Sequence, residues 1–414
     1  MIRFLHTSDW HLGRRLRFLG SDGAIARAHQ ARYDTVRRLG ELAQEREVDF
    51  VVVAGDIFDD NAVGRGELAL TRDALEAFGE IPVLLLPGNH DPADPSSALR
   101  RLAQRFYPQQ QASTTVRVLE STDPVEIPGK TSGASTVVHP CPWTRKGVAT
   151  DLTRALPDRE PSDRRVQVAL AHGGLLDFSE VGESAAVIDV DSVLAKGFDY
   201  LALGDWHGWQ PHRDGAAYSG TPEPTRFAEK GPGHAVVVEV DGPGAKPRLE
   251  AVKVSTLRWL QEQRTLGSAE DVDALETFLD ELPQRSVTAL LLSLRGALDL
   301  QQRARLDELL QRESEELLYL RLDDRLHLAA TAEDLQQLEQ LDGFLGHAAR
   351  ELVPAAQLSS VGPGEEEREV GASAEPEARD LDLDSLPEAR AELPPAEAAE
   401  QALRLLHRLL EAEG

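Results

Sequence analysis

The first half of the chain alternates short apolar runs with longer amphipathic stretches. Residues 2–6, 50–54 and 83–86 are compact runs rich in Val, Leu, Ile and Phe, which fit buried strands. Between them, residues 24–47 and 66–78 have the length and spacing of helices. The resulting β-α-β-α-β rhythm predicts a sheet covered by helices. Further strand-like runs follow at 136–139, 166–171, 200–203, 216–219, 235–240 and 249–254, with little helical pattern between them. A single doubly wound sheet needs a helix after nearly every strand. The pattern therefore predicts an α/β fold of two packed sheets, a β-sandwich flanked by helices, over residues 1–255.

Beyond residue 255 the pattern changes. Val272, Leu275, Leu279 and Leu282 share one helical face, residues 287–294 form an apolar strand, 300–313 a second helix and 317–322 a further strand. With the amphipathic stretch 333–352, this predicts a small α+β capping domain over 256–353. Residues 354–395 are rich in Pro, Gly, Ala, Ser and acid, the composition of a linker. Residues 396–414 then place Ala399, Leu403, Leu406 and Leu410 at helical spacing. Such an amphipathic C-terminal helix docks either on its own protein or in a partner's groove.

Composition narrows the classes. The 414 residues carry 44 basic and 71 acidic side chains, a formal charge of −27. That argues against a nucleic-acid binder working alone, since phosphates are held by Lys and Arg. The acidity is uneven, however: residues 361–414 hold 15 acids against 5 bases. A single cysteine, Cys141, excludes a disulfide framework or a Cys-rich metal site and fits a reducing compartment. No apolar run approaches membrane-spanning length, and MIRFLHTSDW lacks the pattern of a signal peptide. These features predict a cytoplasmic protein without a membrane partner.

The chemistry lies in Asp, His and Asn residues placed just after predicted strands. They are Asp9 and His11, Asp56 and Asp59, Asn89, His90 and Asp91, His172, then Asp205 and His207. Side chains on strand-end loops converge on one edge of a sheet. All are oxygen or imidazole donors, a set that suits two divalent ions, Mn²⁺ best, with Mg²⁺, Fe²⁺ or Zn²⁺ also admitted. Asp9 and His11, two apart on a departing strand, point the same way. Glycine before Asp56, Asn89 and Asp205 permits close backbone approach. A carboxylate such as Asp56 can bridge two ions about 3.5–4 Å apart, the arrangement of two-metal phosphoester hydrolysis.

In this order the motifs D-x-H, G-D-x-x-D, G-N-H-D, a lone His before glycine and a final pair resemble the calcineurin-like metallophosphoesterases. HTSDWHLG, VVVAGDIFD and LLLPGNHD are similar to the SbcD-type nucleases that act in DNA double-strand-break repair. The resemblance implies that Asp9, His11 and His207 hold one metal, that Asp56 bridges, and that Asn89 and His172 hold the second. It also implies that His90 contacts the scissile phosphate or protonates the leaving 3′ oxygen, oriented by Asp91. The family's last motif is G-H-x-H; here it is Gly204-Asp205-Trp206-His207, so Asp205 stands where the second metal expects an imidazole. Asp205 can still donate oxygen, with an added negative charge.

The implied activity is Mn²⁺-dependent DNA cleavage, 3′ to 5′ on duplex ends and endonucleolytic on single strands and hairpins. The implied partners are DNA, an SbcC-type coiled-coil SMC-like ATPase bound through the C-terminal helix, and a second copy through the nuclease domain. A phosphoesterase for small or cyclic phosphodiesters would share the core motifs. A non-catalytic scaffold of the ATPase complex is the other alternative.

Several residues have simpler readings. His6 lies inside the first strand, as a packed or hydrogen-bonded histidine would. His139, His212 and His234 lack a companion donor and read as ordinary surface or loop residues. Asp59 suits a turn or a supporting role. Arg14, Arg15 and Arg17 follow the first motif, where they either bind a DNA phosphate or decorate an exposed loop. Trp10, Trp206 and Trp209 either stack on a base or pack the metal edge. The loop 219–227 carries no assigned chemistry.

Overall fold

The computed structural model describes residues 1–108, 115–130, 135–148, 150–175 and 187–329. The stretch 333–352, the linker 354–395 and the helix expected over 396–414 lie outside the described residues. The chain divides into two compact units, Met1–Trp259 and the residues from Leu260 onward.

In the first unit the elements run β1 (Ile2–Thr7), α1 (Asp22–Glu45), β2 (Phe50–Val53), α2 (Arg65–Leu75), β3 (Val83–Leu85), α3 (Ala98–Phe106), β4 (Val116–Val118) and β5 (Val125–Pro128). They continue with β6 (Ser135–Cys141), β7 (Val166–His172), the two-residue strands β8 (Gly174–Leu175) and β9 (Val187–Ile188), α4 (Val190–Ala195) and β10 (Tyr200–Gly204). The series closes with β11 (Gln210–His212), β12 (Ala216–Tyr218), β13 (His234–Val240) and β14 (Arg248–Lys253). Two six-stranded sheets result, ordered β14-β13-β1-β2-β3-β4 and β11-β12-β10-β7-β6-β5.

Side-chain alternation explains why the strands read as continuous apolar runs. Phe4, Phe50 and Val52 face the second sheet and meet Val168, Leu170, Tyr200 and Ala202. Leu5, Val51 and Val53 turn the other way, onto Tyr33, Val36 and Leu39 of α1. Strands apolar on both faces are covered on both faces. The Phe4 and Phe50 rings stack at 4.8 Å and Tyr200 meets Phe4 edge-on at 5.6 Å. A side-chain cap marks the start of α1, where the Ser21 hydroxyl accepts from the Ala24 amide at 3.1 Å.

The register also places the chemistry. Strands β1, β2 and β3 pair in parallel, as do β6, β7 and β10. Their carboxyl ends therefore reach the same edge of each sheet. Gly204, the last residue of β10, pairs with His172, the last of β7.

In the second unit β15 (Arg258–Leu266), α5 (Ala269–Asp280), β16 (Thr288–Leu298), α6 (Leu300–Glu316) and β17 (Tyr319–Leu328) build a three-stranded sheet ordered β15-β16-β17. Its core is leucine-rich, with Leu275, Leu279, Leu290, Leu292, Leu306 and Leu309 in one cluster. The sequence pattern anticipates α5, β16, α6 and the start of β17. It misses β15, where exposed Gln261, Gln263 and Thr265 alternate with partly buried Glu262 and Arg264, so the strand carries little apolar signal.

Candidate metal centre

Loops from both sheets meet at the strand-end edge, and their backbone is specialised for it. Seven non-glycine residues among those described have positive φ, and four of them are Asp9 (52°), His11 (44°), Asp56 (52°) and Asp205 (105°). Such conformations cost of order 1–3 kcal/mol each and persist only where the surroundings enforce them. Here the enforcement is visible. The Asp9 amide donates to the Gly55 carbonyl at 3.0 Å and the His11 amide to the Asp56 carbonyl at 3.0 Å, lacing the loop after β1 to the loop after β2. The Asp205 amide donates to both Asp9 carboxylate oxygens at 3.2 Å.

The glycines of these motifs are tightly crowded. A Cβ on Gly55 would lie 2.2 Å from His172 Nδ1, one on Gly88 2.1 Å from Asp56 Oδ1, and one on Gly204 1.9 Å from the Ala54 carbonyl. Only glycine fits beneath the side chains that converge here.

Three donor groups share the edge among the described residues, one of them made of His11, Asp59 and the half-buried His90. Asp9, His11 and His207 form the first, with the His11 and His207 Nε2 atoms 3.1 Å apart. Asp9, Asp56 and His172 form a second set, again with one ligand atom each within 4.8 Å of the others. Around His172 Nε2 stand Asn89 Oδ1 at 2.7 Å, Asp56 Oδ2 at 3.4 Å and Asp205 Oδ1 at 3.8 Å. The Nδ1–H of His172 donates to the Ala54 carbonyl at 2.7 Å, which turns Nε2 toward these oxygens.

Asp9, Asp56 and Asp205 are at most 3% exposed. An unpaired buried ion costs several kcal/mol, so three carboxylates here require compensating positive charge. Without metal His172 supplies part of it. Burial by itself would raise the Asp56 carboxyl, but the neighbouring His172 and His11 hold it well below the usual range. Burial likewise opposes charge on His172, yet Asp56, Asp9 and Asp205 push it well above an ordinary histidine. At His11 and Asp9 burial wins, lowering the pKa of the former and raising that of the latter. The proton on His172 thus stands where a cation would, and the mixed oxygen and nitrogen donors fit divalent ions.

A family model described as calcineurin-like phosphoesterase matches residues 2–226, more than half of the chain and the whole span that carries these donors. The chain belongs to the calcineurin-like phosphoesterase family. It is a phosphoesterase, and it is similar to the SbcD component of the nuclease SbcCD from Bacillus subtilis strain 168, 26% identical over 314 residues, which are 68% of this chain and 76% of that protein. The corresponding SbcCD component of Rhodobacter capsulatus is 27% identical over 60% of this chain and 68% of its own length. The DNA double-strand break repair protein Mre11 of Methanopyrus kandleri is 27% identical over 55% of this chain, and the match spans half of that protein.

Within the phosphoesterase edge the remaining expected residues take varied places. His90 is half-buried beside His11, ring centroids 5.1 Å apart, its amide on Asp56 Oδ1 at 3.0 Å. Its Nδ1–H donates to the Asp59 carbonyl at 2.8 Å. The expectation that Asp91 orients His90 gives way to a different arrangement. The Asp91 carboxylate accepts from the Phe58 amide at 2.9 Å and the Gly88 amide at 2.8 Å, tying two loops together. Burial, followed by the nearby Asp56 charge, pushes its pKa up to about 7.

Arg14 pairs with Asp59 Oδ1 at 3.3 Å; Arg15 and Arg17 are exposed. Trp10 is buried, its indole N–H on the Thr7 hydroxyl at 3.0 Å, and serves as packing, while Trp206 and Trp209 are partly buried against apolar clusters. His6 is the bonded core residue expected: Tyr200 Oη lies 3.0 Å from its Nδ1 and the Leu203 carbonyl 3.1 Å from its Nε2. His139 departs from expectation, lying in β6, 8% exposed and bonded to Gln167 Oε1 at 2.8 Å.

Two supporting carboxylates frame the first donor group. Glu229 Oε1 accepts from His207 Nδ1 at 2.7 Å, and Asp59 Oδ1 lies 3.4 Å from His11 Nδ1. Glu229 has no spacing relation to any motif, so sequence reasoning passed it over. The loop 219–227 is also structural support: Thr221 Oγ1 donates to the Asp9 carbonyl at 2.8 Å, and the Thr225 amide holds Glu229 Oε2 at 2.9 Å. Among the described residues no helix is long and apolar enough to cross a membrane.

Proposed function

We propose that this phosphoesterase is a Mn²⁺-dependent DNA nuclease of the SbcD type. It cleaves duplex DNA 3′ to 5′ and nicks single strands and hairpins, working with an SMC-like coiled-coil ATPase in DNA repair. The observation that carries this reading is the meeting of His11 with His207 and of His172 with Asn89 and Asp56 at one edge. The names of the bacterial and archaeal relatives support DNA as the substrate.

In this reading Asp9, His11 and His207 would hold one cation and Asn89, His172 and Asp205 the other, with the Asp56 carboxylate available to both. When bound, the two cations polarise the phosphodiester and lower the pKa of water toward neutrality. The chain's own residues do the rest. With Nδ1 committed to the Asp59 carbonyl, a protonated His90 presents Nε2–H to the leaving 3′ oxygen. Asp91 keeps the loop carrying His90 in register with the loop carrying Asp56. Arg14, Arg15 and Arg17 follow the first ligand pair and meet the DNA backbone. We place the ATPase on the C-terminal helix, the second copy on the nuclease unit, and the complex in the cytoplasm.

The test compares linear duplex DNA with a chromogenic phosphodiester in Mn²⁺, for the wild type and Asp56→Asn. Release of nucleotides from DNA, abolished in the variant, is the expected result. Cleavage of the small ester alone would overturn the nuclease reading, and binding of fewer than two Mn²⁺ without cleavage would favour a scaffold.

A further inference from the structure

The two cation positions are not built alike. On the first, two imidazoles face each other, His11 and His207, with the Asp9 carboxylate beside them. Both imidazoles are backed by carboxylates, Glu229 at 2.7 Å and Asp59 at 3.4 Å, an arrangement that strengthens nitrogen as a donor. On the second, a single imidazole nitrogen, His172 Nε2, is surrounded by the oxygens of Asn89, Asp56 and Asp205 at 2.7, 3.4 and 3.8 Å. Its Nδ1 rests on a neutral carbonyl, that of Ala54.

Asp205 creates this difference, and its place is fixed from several sides. Its amide is held by both oxygens of Asp9, its φ of 105° is one that L residues rarely adopt, it is 3% exposed, and Gly204 before it has no room for a Cβ. An oxygen-dominated set favours hard cations such as Mg²⁺ and Mn²⁺, whereas imidazole-rich sets suit Zn²⁺ and Fe²⁺.

Resting on the two-cation reading above, we infer that the positions discriminate between metals: Asp205 makes the second selective for a hard cation of the Mg²⁺ or Mn²⁺ class, while the imidazole pair of the first retains a borderline ion. The molecule then carries a mixed pair when both classes of ion are present. Exchange of the harder ion leaves the other in place.

The experiment titrates the full chain with Mn²⁺, counts bound ions by electron paramagnetic resonance, and then competes with Mg²⁺ and separately with Zn²⁺. Wild type is expected to bind two Mn²⁺ and to release one of them to Mg²⁺. In Asp205→His, release should require about tenfold more Mg²⁺, and Zn²⁺ should displace that ion at about tenfold lower concentration. Asp205→Asn keeps the oxygen without its charge and should fall between the two. Melting curves of both variants without metal establish that they fold. Superimposable Mg²⁺ and Zn²⁺ competition curves for wild type and the folded variants would overturn the inference while leaving two-cation binding intact. A wild type that binds no more than one Mn²⁺ would instead bring down the reading on which it rests.

Discussion

The layer between the two sheets and the edge where their strands end are a few residues apart along the chain, yet they follow opposite rules. Between the sheets Phe4, Phe50, Val52, Leu170 and Tyr200 are buried, apolar and regular in backbone. At the edge Asp9, His11, Asp56 and Asp205 are as deeply buried, charged or titratable, and of positive φ. Burial stabilises the first region and burdens the second. The apolar layer thus offsets the cost of gathering carboxylates, and the two can be separated by mutation.

The largest effect should come from the layer. Phe50→Ala removes a fully buried ring stacked on Phe4 and should cost about 3–5 kcal/mol in denaturant unfolding, with Mn²⁺ stoichiometry unchanged in the folded fraction. Loss of metal binding at equal foldedness would break the separation. Asp56→Asn should act chiefly at the edge. Phosphodiesterase activity should fall by more than about 100-fold, and the metal-free melting temperature should fall too, because His172 loses the carboxylate that balances its buried charge. An unchanged or higher metal-free melting temperature would show that the Asp56–His172 pair does not support the fold.

Glu229→Gln should weaken Mn²⁺ binding by about 10–100-fold, as read by calorimetry, since His207 loses the carboxylate that orients it. An unchanged dissociation constant would reduce Glu229 to packing.

A further effect is a pH dependence at the boundary between the regions. Burial drops the His6 pKa from 6.5 to about 3, against the support of the Leu203 carbonyl. The unfolded chain therefore takes up a proton below about pH 6.5 that the folded chain refuses. This contribution to stability is complete above pH 6.5 and is lost as pH falls toward 3, at no more than about 1.4 kcal/mol per pH unit. In chelator, the melting-temperature gap between wild type and His6→Phe should change steadily from pH 7 to pH 4, with wild type losing ground to the variant. A constant gap would show that His6 titrates alike in the folded and unfolded chains.

The layer was the more legible of the two regions. Strands apolar on both faces announce themselves, so β1, β2, β3, β7 and β10 stand within a residue of the expected runs. Helix α3 was missed because it is only nine residues long, although Leu99, Leu102 and Ala103 mark a buried face and Ser97 caps its start. At the edge, residues in short motifs were readable because their glycines and donors lie together in sequence. Asp91 was misread because its neighbour His90 suggested a partner, whereas the folded loops offered it the Phe58 and Gly88 amides. Glu229 and Thr221 were invisible because their roles arise from loops that approach only in three dimensions.

His11 and His207 touch across 196 positions of sequence, and the carboxylate behind His207 comes later still, at Glu229. During synthesis the opening motif therefore leaves the ribosome long before anything can close over it. The growing chain has no complete cage in which to trap whatever ion happens to be nearby. Reactivity is switched on by the arrival of the final strands, so a product truncated before residue 207 should lack the first cation position.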